Sequence, residues 1–202
     1  MIAIIDYDAG NLKNVYTALT SIGLDAKITR DPQEIDNAKA IVLPGVGAFQ
    51  DAILSLKSYD LVEILDKNVK SGKLLLGICL GMQLLFDTSH EDGIHQGLGY
   101  IPGEVVRFDS SQLKVPHMGW NNMVINQSDS IAKGLTHKDY VYFVHSYYAR
   151  PKNFEDVVAY ADYGVKVPGI VRKDNVIGMQ FHPEKSAGVG NVLLENFKEL
   201  IL

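Results

Sequence analysis

The stretch LLLGICLGMQLL, from Leu74 to Leu85, contains the only cysteine of the chain, Cys79, between two aliphatic runs. The first run predicts a buried strand, and the second predicts a helix that begins at about Gly81. Gly77 and Gly81 flank the cysteine, and neither has a side chain that would collide in a tight turn. The pattern G-x-C-x-G between a strand and a helix is that of a nucleophile elbow, which lifts the sulfur out of the core and places it at a helix N-terminus that favours the thiolate.

Three further apolar strands alternate with helices in the first half of the chain. Asn11 and Asp31 are the predicted N-caps of two helices, Pro32 follows Asp31 in the first turn, and a later helical stretch ends at Lys70. Strands that are apolar on both faces, alternating with helices, predict an α/β fold with a mainly parallel, doubly wound sheet and helices on both faces. The predicted strands are Met1–Asp6, Ala26–Thr29, Ala40–Leu43 and Leu74–Ile78.

The second half of the chain is β-rich, with short strand-like runs from about Glu104 onward. The segment KDNV, from Lys173 to Val176, is typical of a hairpin turn, and the last thirteen residues, GNVLLENFKELIL, predict a helix. The chain has 202 residues and no long linker or internal repeat, so we expect a single domain over residues 1–202.

Composition and charge narrow the class of protein. The chain is 47% hydrophobic with a net charge of −5 and has no basic run, which argues against nucleic acid or an anionic membrane as a partner. One cysteine cannot form an internal disulfide, which fits a reducing compartment. The N-terminal segment carries Asp6 and Asp8 and does not resemble a secretory signal, and no apolar run is long enough to span a membrane. We therefore expect a cytoplasmic protein.

A thiol nucleophile needs a base, and His182 is the best placed of the six histidines. It follows the apolar run NVIGMQF, so it is expected at the end of a strand. In extended backbone His182 and Glu184 would share a face, and Glu184 could hold the imidazole in one tautomer while its other nitrogen faces Cys79. His117 and His145 lie in patterned segments and remain possible walls of a site. The other histidines, in polar stretches, are His90, His95 and His137.

Acyl transfer through a thiol also needs donors for an oxyanion. The N–H group of Leu80, directly after the cysteine, is one. The loop LPGVGAF, from Leu43 to Phe49, offers another at Val46 or Gly47, because its glycines let the backbone approach a ligand closely. The loop lacks the lysine and the serine or threonine of a phosphate-binding P-loop, and no cofactor or metal is expected.

Each of these features also has a less specific explanation. Cys79 alone is compatible with a small buried hydrophobe, and a Pro-Gly loop is common. Two alternative functions therefore stay open at this point. One is a stand-alone cysteine hydrolase or peptidase on a flavodoxin-like fold, and the other is a ligand-binding or regulatory module in which the thiol is merely packed.

The motifs GICLGMQ, FHPEKS and LPGVG together resemble those of the class I, or triad, glutamine amidotransferases. The resemblance implies that Cys79 attacks the side-chain amide of glutamine, that His182 protonates the departing ammonia, and that water then hydrolyses a thioester. It also implies four contacts to glutamine, with Gly47 lining the site. These contacts are Gln83, Glu91, Ser146 and Tyr147. Relatives often have glycine where this chain has Asp8, which lies outside these motifs.

Further motifs narrow the resemblance to glutaminase subunits that serve histidine biosynthesis, namely IDYDAGN, VPHMGWN and YFVHSYY. Such subunits form a heterodimer with a cyclase subunit of (βα)8-barrel fold, and they are nearly inactive until that partner binds its own ligand. A glutaminase that serves another synthase, such as one of surface-sugar biosynthesis, is the alternative within the family. By resemblance, the partner interface is expected at Asn11, Asn14, Trp120, Tyr142 and Lys185.

Overall fold

Three sheets make up the β structure of the computed structural model, which describes residues 1–201. The strands are β1 (Ile2–Ile5), β2 (Ala26–Thr29), β3 (Ala40–Gly45), β4 (Leu74–Cys79), β5 (Phe86–Ser89), β6 (His95–Gln96), β7 (Ile101–Arg107), β8 (His117–Asn122), β9 (Val124–Ile125), β10 (Tyr140–His145), β11 (Tyr147–Pro151), β12 (Val157–Asp162), β13 (Lys166–Lys173) and β14 (Val176–Met179). The α-helices are α1 (Leu12–Ser21), α2 (Pro32–Asn37), α3 (Phe49–Ser58), α4 (Leu61–Lys70), α5 (Leu80–Gln83) and α6 (Ala187–Ile201).

The central sheet has eight strands in the order β2-β1-β3-β4-β14-β13-β12-β9. Its first five strands run parallel to one another, and the last three continue it in antiparallel fashion. A four-stranded sheet, β11-β7-β5-β6, and the pair β8–β10 come largely from the second half. The predicted mainly parallel sheet and β-rich second half are therefore confirmed. Asp174 and Asn175 form the predicted turn between β13 and β14.

Alternate side chains of the parallel strands enter two separate cores. Ile2 and Ile4 of β1 pack in the core that contains side chains of α1 and α6, whereas Ala3 and Ile5 pack with α2, α3 and α4. This alternation follows from the two-residue period of a strand. It confirms that helices cover both faces of the sheet.

Local signals set several helix boundaries as expected. The side chain of Asn11 caps α1, and that of Asp31 accepts hydrogen bonds at the start of α2, where Pro32 is the first residue. The expected single helix ending at Lys70 is wrong in one respect, because it is divided into α3 and α4. Asp60, directly before α4, has a φ of 56°, a left-handed conformation that interrupts a right-handed helix.

The helix after Cys79 is shorter than expected, a single turn from Leu80 to Gln83. The carbonyl groups of Leu84 and Leu85 accept hydrogen bonds from the N–H groups of Leu98 and Tyr100, at 2.8 Å each. These bonds replace the next turn of the helix and lead the chain into β5. The helix dipole therefore contributes less at Cys79 than the sequence suggested, because the dipole sums over few peptides.

None of the helices within residues 1–201 combines the length and the apolar character needed to cross a membrane.

Candidate active site

The backbone at Cys79 has the strained geometry of an elbow. Its φ is 55° and its ψ is −111°, an unfavourable region for a residue with a side chain. The flanking glycines make this turn possible. A Cβ added at Gly81 would overlap the carbonyl oxygen of Leu43 on the neighbouring strand, and one added at Gly77 would lie 2.6 Å from the carbonyl oxygen of Gly81. The sulfur thus stands at the carboxyl end of β4, beside β3 and β14.

His182 and Glu184 form a buried pair just after β14, the strand next to β4. Nδ1 of His182 lies 2.8 Å from Oε1 of Glu184, and the two side chains are 3% and 2% exposed. The expected extended backbone between them is wrong, because Pro183–Lys185 is one turn of 3-10 helix. The turn brings the carboxylate to the imidazole by another route, and Glu184 lies behind the ring.

The other side of the imidazole interacts with Cys79. Burial would by itself lower the pKa of His182, but the sulfur of Cys79 and the carboxylate of Glu184 outweigh it and raise the pKa to about 9. Within residues 1–201, Nε2 of His182 makes no hydrogen bond of ordinary geometry. The protonated imidazole is therefore stabilised by negative charge on both sides, and its free N–H group can be directed at a leaving group.

The expected oxyanion residues lie next to the sulfur. Gly45 is paired with Cys79 in the register of β3 and β4, and the chain leaves β3 through Val46 and Gly47. Val46 is 44% exposed, and Gly47 has a φ of 103°, which favours glycine. Leu80 is the first residue of α5, so its N–H group has no partner within the helix. Val46, Gly47 and Leu80 all line the same cavity.

A cavity of about 430 Å³ joins these elements, a size suited to a small polar molecule. It brings together nearly all of the residues that the sequence singled out for catalysis and substrate binding. Its lining includes Val46, Gly47, Cys79, Leu80, Gln83, Glu91, His145, Ser146, Tyr147, His182 and Lys185.

A family model described as "Glutamine amidotransferase class-I" matches residues 3–200. The chain belongs to this family. Its curated relatives include the imidazole glycerol phosphate synthase subunit HisH of Caldanaerobacter subterraneus, 48% identical over 100% of this chain and 98% of the relative. HisH of Streptococcus gordonii is also 48% identical, over 100% of this chain and 97% of the relative. The chain therefore belongs to the HisH branch of the class I amidotransferases.

Solved structures show the same fold at lower sequence identity. A crystal structure titled as a glutamine amidotransferase superposes with a TM-score of 0.78 at 22% identity, over 100% of this chain and 99% of the other. The structure of PurLQS from Thermotoga maritima gives a TM-score of 0.76 at 19% identity, over 100% and 98% of the two chains. At these identities the likeness concerns the fold alone.

Glu91 is positioned in this amidotransferase by α3, the helix that follows the loop after β3. Its Oε2 accepts a hydrogen bond of 2.9 Å from the N–H group of Phe49, the first residue of α3. Burial raises the pKa of Glu91, and the bond from Phe49 opposes this. A partly buried carboxylate that lines the cavity provides a negative charge suited to an ammonium group.

The sequence did not point to Gln180, which connects Gln83 in the cavity lining with the sulfur of Cys79. The amide nitrogen of Gln83 donates to Oε1 of Gln180 at 3.0 Å, and the amide nitrogen of Gln180 lies 3.9 Å from Sγ of Cys79. Gln180 is completely buried. Its position two residues before His182, on the same face of an extended segment, was the available signal.

The sequence did not point to Tyr7 either, which holds the end of β3 at Pro44, just before the loop of Val46 and Gly47. Its hydroxyl donates to the carbonyl group of Pro44 at 2.6 Å, and its own carbonyl accepts from the hydroxyl of Ser55 at 2.5 Å. Burial, together with the sulfur of Cys79, raises the pKa of Tyr7 well above its usual range, so the hydroxyl stays protonated as a donor. The carbonyl group of Pro44 is thereby held, whereas Val46 and Gly47 beyond it are exposed.

The β1–α1 loop contains Asp8, directly after Tyr7. Asp8 has a φ of 64°, a left-handed conformation that favours glycine. Its carboxylate accepts a hydrogen bond of 2.8 Å from Arg30 and another from the hydroxyl of Tyr59. These bonds connect the β1–α1 loop to Arg30 and to Tyr59.

The expected interface residues lie at or near the surface. Trp120 on β8 is 53% exposed and contacts Tyr142 on β10 edge to face, with ring centroids 6.0 Å apart. Lys185 is exposed and also lines the cavity, and Asn11 and Asn14 are exposed at the start of α1. Their role in binding a partner stays a prediction.

Within residues 1–201, no group of three or more histidine, cysteine, aspartate and glutamate side chains is arranged to hold a metal ion.

Proposed function

We propose that this amidotransferase is the glutaminase subunit of imidazole glycerol phosphate synthase and that Cys79, His182 and Glu184 form its catalytic triad. One observation carries the proposal. The strained elbow at Cys79 and the buried His182–Glu184 pair meet at one cavity, which is also lined by Leu80 and by Val46 and Gly47 of the loop after β3. Full-length relatives that are 48% identical support the assignment to this synthase.

The first half of the reaction is acylation. The thiolate of Cys79 attacks the side-chain carbonyl carbon of glutamine, and the carbonyl oxygen becomes an oxyanion. The N–H groups of Leu80 and of Val46 or Gly47 stabilise that charge. The tetrahedral intermediate collapses when the C–N bond breaks, and His182 delivers its Nε2 proton to the nitrogen, which leaves as ammonia. A glutamyl thioester remains on the sulfur.

The second half is hydrolysis. His182, now neutral, removes a proton from water as it attacks the thioester, and glutamate leaves while the thiolate is restored beside the imidazolium. Glu184 holds Nδ1 throughout, so that Nε2 always faces the reacting atoms. Glu91 pairs with the ammonium group of glutamine, and Gln83, Ser146 and Tyr147 make the remaining contacts.

The ammonia is used by a second chain. The named relatives are subunits of imidazole glycerol phosphate synthase. The partner proposed here is a cyclase subunit of (βα)8-barrel fold that forms a heterodimer through Asn11, Asn14, Trp120, Tyr142 and Lys185. It turns the ammonia and a nucleotide-like intermediate into imidazole glycerol phosphate and aminoimidazole carboxamide ribotide in histidine biosynthesis. The heterodimer is proposed to work in the cytoplasm, and residues 1–202 are proposed to form one domain.

The deciding experiment measures synthesis by the purified complex with two nitrogen sources, glutamine and ammonium. Cys79→Ala should abolish the glutamine-driven reaction and leave the ammonium-driven reaction near the wild-type rate, because the acceptor chemistry lies on the partner. Cys79→Ser serves as the matched control, since it keeps a nucleophile of similar size but weak reactivity and should remain nearly inactive with glutamine. Loss of both reactions in an assembled complex would contradict the proposal.

The same purified protein also tests the alternatives: a stand-alone hydrolase, a binding module and a glutaminase that serves another synthase. Turnover of peptides or esters by the isolated chain would identify a stand-alone hydrolase. Slow alkylation of Cys79 by iodoacetamide would indicate a packed thiol in a binding module. Co-purification of a barrel subunit from another synthase would identify a different ammonia acceptor.

A further inference from the structure

Two buried histidines outside the triad form a hydrogen-bonded pair beside the cavity. Nδ1 of His117 on β8 lies 2.9 Å from Nε2 of His145 on β10. The two residues are 3% and 7% exposed. His117 is stacked between Phe143 and Tyr163, with ring centroids 4.6 Å and 4.1 Å away. His145 is the last residue of its strand and lines the cavity that contains Cys79.

The partners at the two ends determine where each proton lies. Nδ1 of His145 is 2.8 Å from the carbonyl oxygen of Tyr147, which can only accept, so the hydrogen is on Nδ1. Nε2 of His145 must then accept from Nδ1–H of His117. Nε2 of His117 in turn accepts from the amide nitrogen of Asn121 at 3.3 Å, and the same nitrogen donates to the carbonyl of Asp162 at 3.2 Å. All hydrogen bonds in this series therefore donate in the same direction, from Asn121 through the two histidines to the carbonyl of Tyr147.

Both imidazole rings in this series of hydrogen bonds are neutral. Burial lowers the pKa of His117 to about 4 and that of His145 to about 3. A proton added to either ring would place two N–H groups against each other or against Asn121. The pair is therefore unsuited to proton transfer and well suited to holding a fixed geometry.

The acceptor at the end of the chain is shared with the active site. The carbonyl oxygen of Tyr147 also accepts a hydrogen bond of 2.9 Å from the amide nitrogen of Gln83. Gln83 leads through Gln180 to the sulfur of Cys79. The segment Ser146–Tyr147 is thus the point at which two buried hydrogen-bond chains meet, one from the histidine pair and one from the nucleophile.

We infer that His145 is a positioning residue for substrate binding. Its Nδ1–H group, fixed as the donor because His117 donates to Nε2, holds the Ser146–Tyr147 segment in register with Cys79 through the carbonyl of Tyr147. The inference rests on the proposed function, in which Ser146 and Tyr147 contact glutamine away from the reacting amide. Such contacts are equally strong in the substrate complex and the transition state. Their loss therefore raises KM for glutamine and leaves kcat nearly unchanged.

A matched pair of substitutions at His145 tests whether the hydrogen bond that Nδ1 donates to the carbonyl of Tyr147 supports substrate binding. The amide nitrogen of asparagine is one bond from Cγ, as Nδ1 of histidine is, whereas the amide of glutamine lies near the position of Nε2. His145→Asn should keep the bond to Tyr147 and a KM within about threefold of wild type. His145→Gln should lose it and raise KM about tenfold, a factor that corresponds to one hydrogen bond, with kcat within about twofold.

The assay is glutamine hydrolysis by the purified complex, normalised to the fraction of Cys79 that iodoacetamide labels. A purely structural role would reduce that fraction, or kcat, in both variants alike. Unchanged KM in His145→Gln, or equal changes in both variants, would overturn the inference. If either variant fails to fold, His117→Asn and His117→Gln repeat the comparison at the other ring. Only the asparagine variant keeps a donor facing Nε2 of His145.

A second measurement observes the tautomers of the wild-type pair directly. The ¹⁵N spectrum of histidine-labelled wild-type chain at neutral pH should show His117 and His145 as neutral Nδ1–H tautomers, with signals assigned by their loss in the asparagine variants. An Nε2–H tautomer or an imidazolium at either ring would contradict the hydrogen-bond chain. Absence of glutamine hydrolysis in the wild-type complex would instead refute the proposed function, whatever the spectrum shows.

Discussion

Replacing Glu184 by glutamine would remove the negative charge that lies 2.8 Å from Nδ1 of His182 while almost preserving its size. Both side chains are nearly fully buried, so water cannot replace the lost charge. A hydrogen bond to a charged group contributes about 1.5–3 kcal/mol, and one pKa unit corresponds to about 1.4 kcal/mol. Glu184→Gln should therefore lower the pKa of His182 from about 9 by about one to two units.

The consequence for catalysis follows from the role of the imidazolium. In the proposed mechanism His182 must be protonated to deliver a proton to the departing ammonia, so glutamine hydrolysis should fall when pH rises above the pKa of His182. In wild type this basic limb of kcat/KM should lie near pH 9. In Glu184→Gln it should move down by about one to two pH units. At pH 7 the variant should lose less turnover than a variant without the sulfur of Cys79, because Glu184 forms no bond to substrate.

The assay is the pH dependence of glutamine hydrolysis by the complex, with Glu199→Gln as control. Glu199 is exposed on α6 and pairs with Lys133, so the same change there should leave the basic limb in place. A basic limb that stays at the wild-type pH in Glu184→Gln would refute the reasoning. Equal losses of turnover in Glu184→Gln and Cys79→Ala, both folded, would show that Glu184 has another role.

The same shift has a thermodynamic readout in the isolated chain. The pKa of His182 is raised in the folded state, so its contribution to stability is complete below its ordinary value of about 6.5 and is lost as pH rises through about 9. The Tm of wild type should therefore fall between these pH values more steeply than the Tm of Glu184→Gln. Parallel curves would contradict the assigned ion pair.

Three further outcomes are expected. Glutamine turnover should rise at least about 100-fold when the partner and its ligand are added, if the loop after Pro44 withholds one oxyanion donor in the isolated chain; full activity of the chain alone would contradict this. Gly81→Ala should cost about 3 kcal/mol or more in urea unfolding because its Cβ would overlap the carbonyl of Leu43. Gly188→Ala, with open space around the added Cβ, should be nearly neutral, and equal stabilities would refute the steric argument. Tyr7→Phe should lower the free energy of unfolding by about 1 kcal/mol through loss of its bond to Pro44, measured in the same way, and no change would show that this bond contributes little.

The sequence by itself determined the features that depend on neighbours along the chain. Glycines two residues on either side of Cys79 specify the elbow, because only a missing side chain fits that turn. The period of apolar residues specifies the buried parallel strands, and Asn11 and Asp31 specify helix starts through their own side chains. The proposed nucleophile, base and carboxylate partner are therefore predictable from the order of residues alone.

Only the tertiary structure decided which distant residues meet. Gln83 and Gln180 are 97 residues apart, Tyr7 and Pro44 are 37 apart, and the two histidines of the buried pair are 28 apart. The length of α5 was decided in the same way, by hydrogen bonds from the segment beginning at Leu98. A local pattern specifies a backbone conformation, but a hydrogen bond between remote side chains requires the register and packing of whole strands, and these arise from burying both faces of the sheet at once.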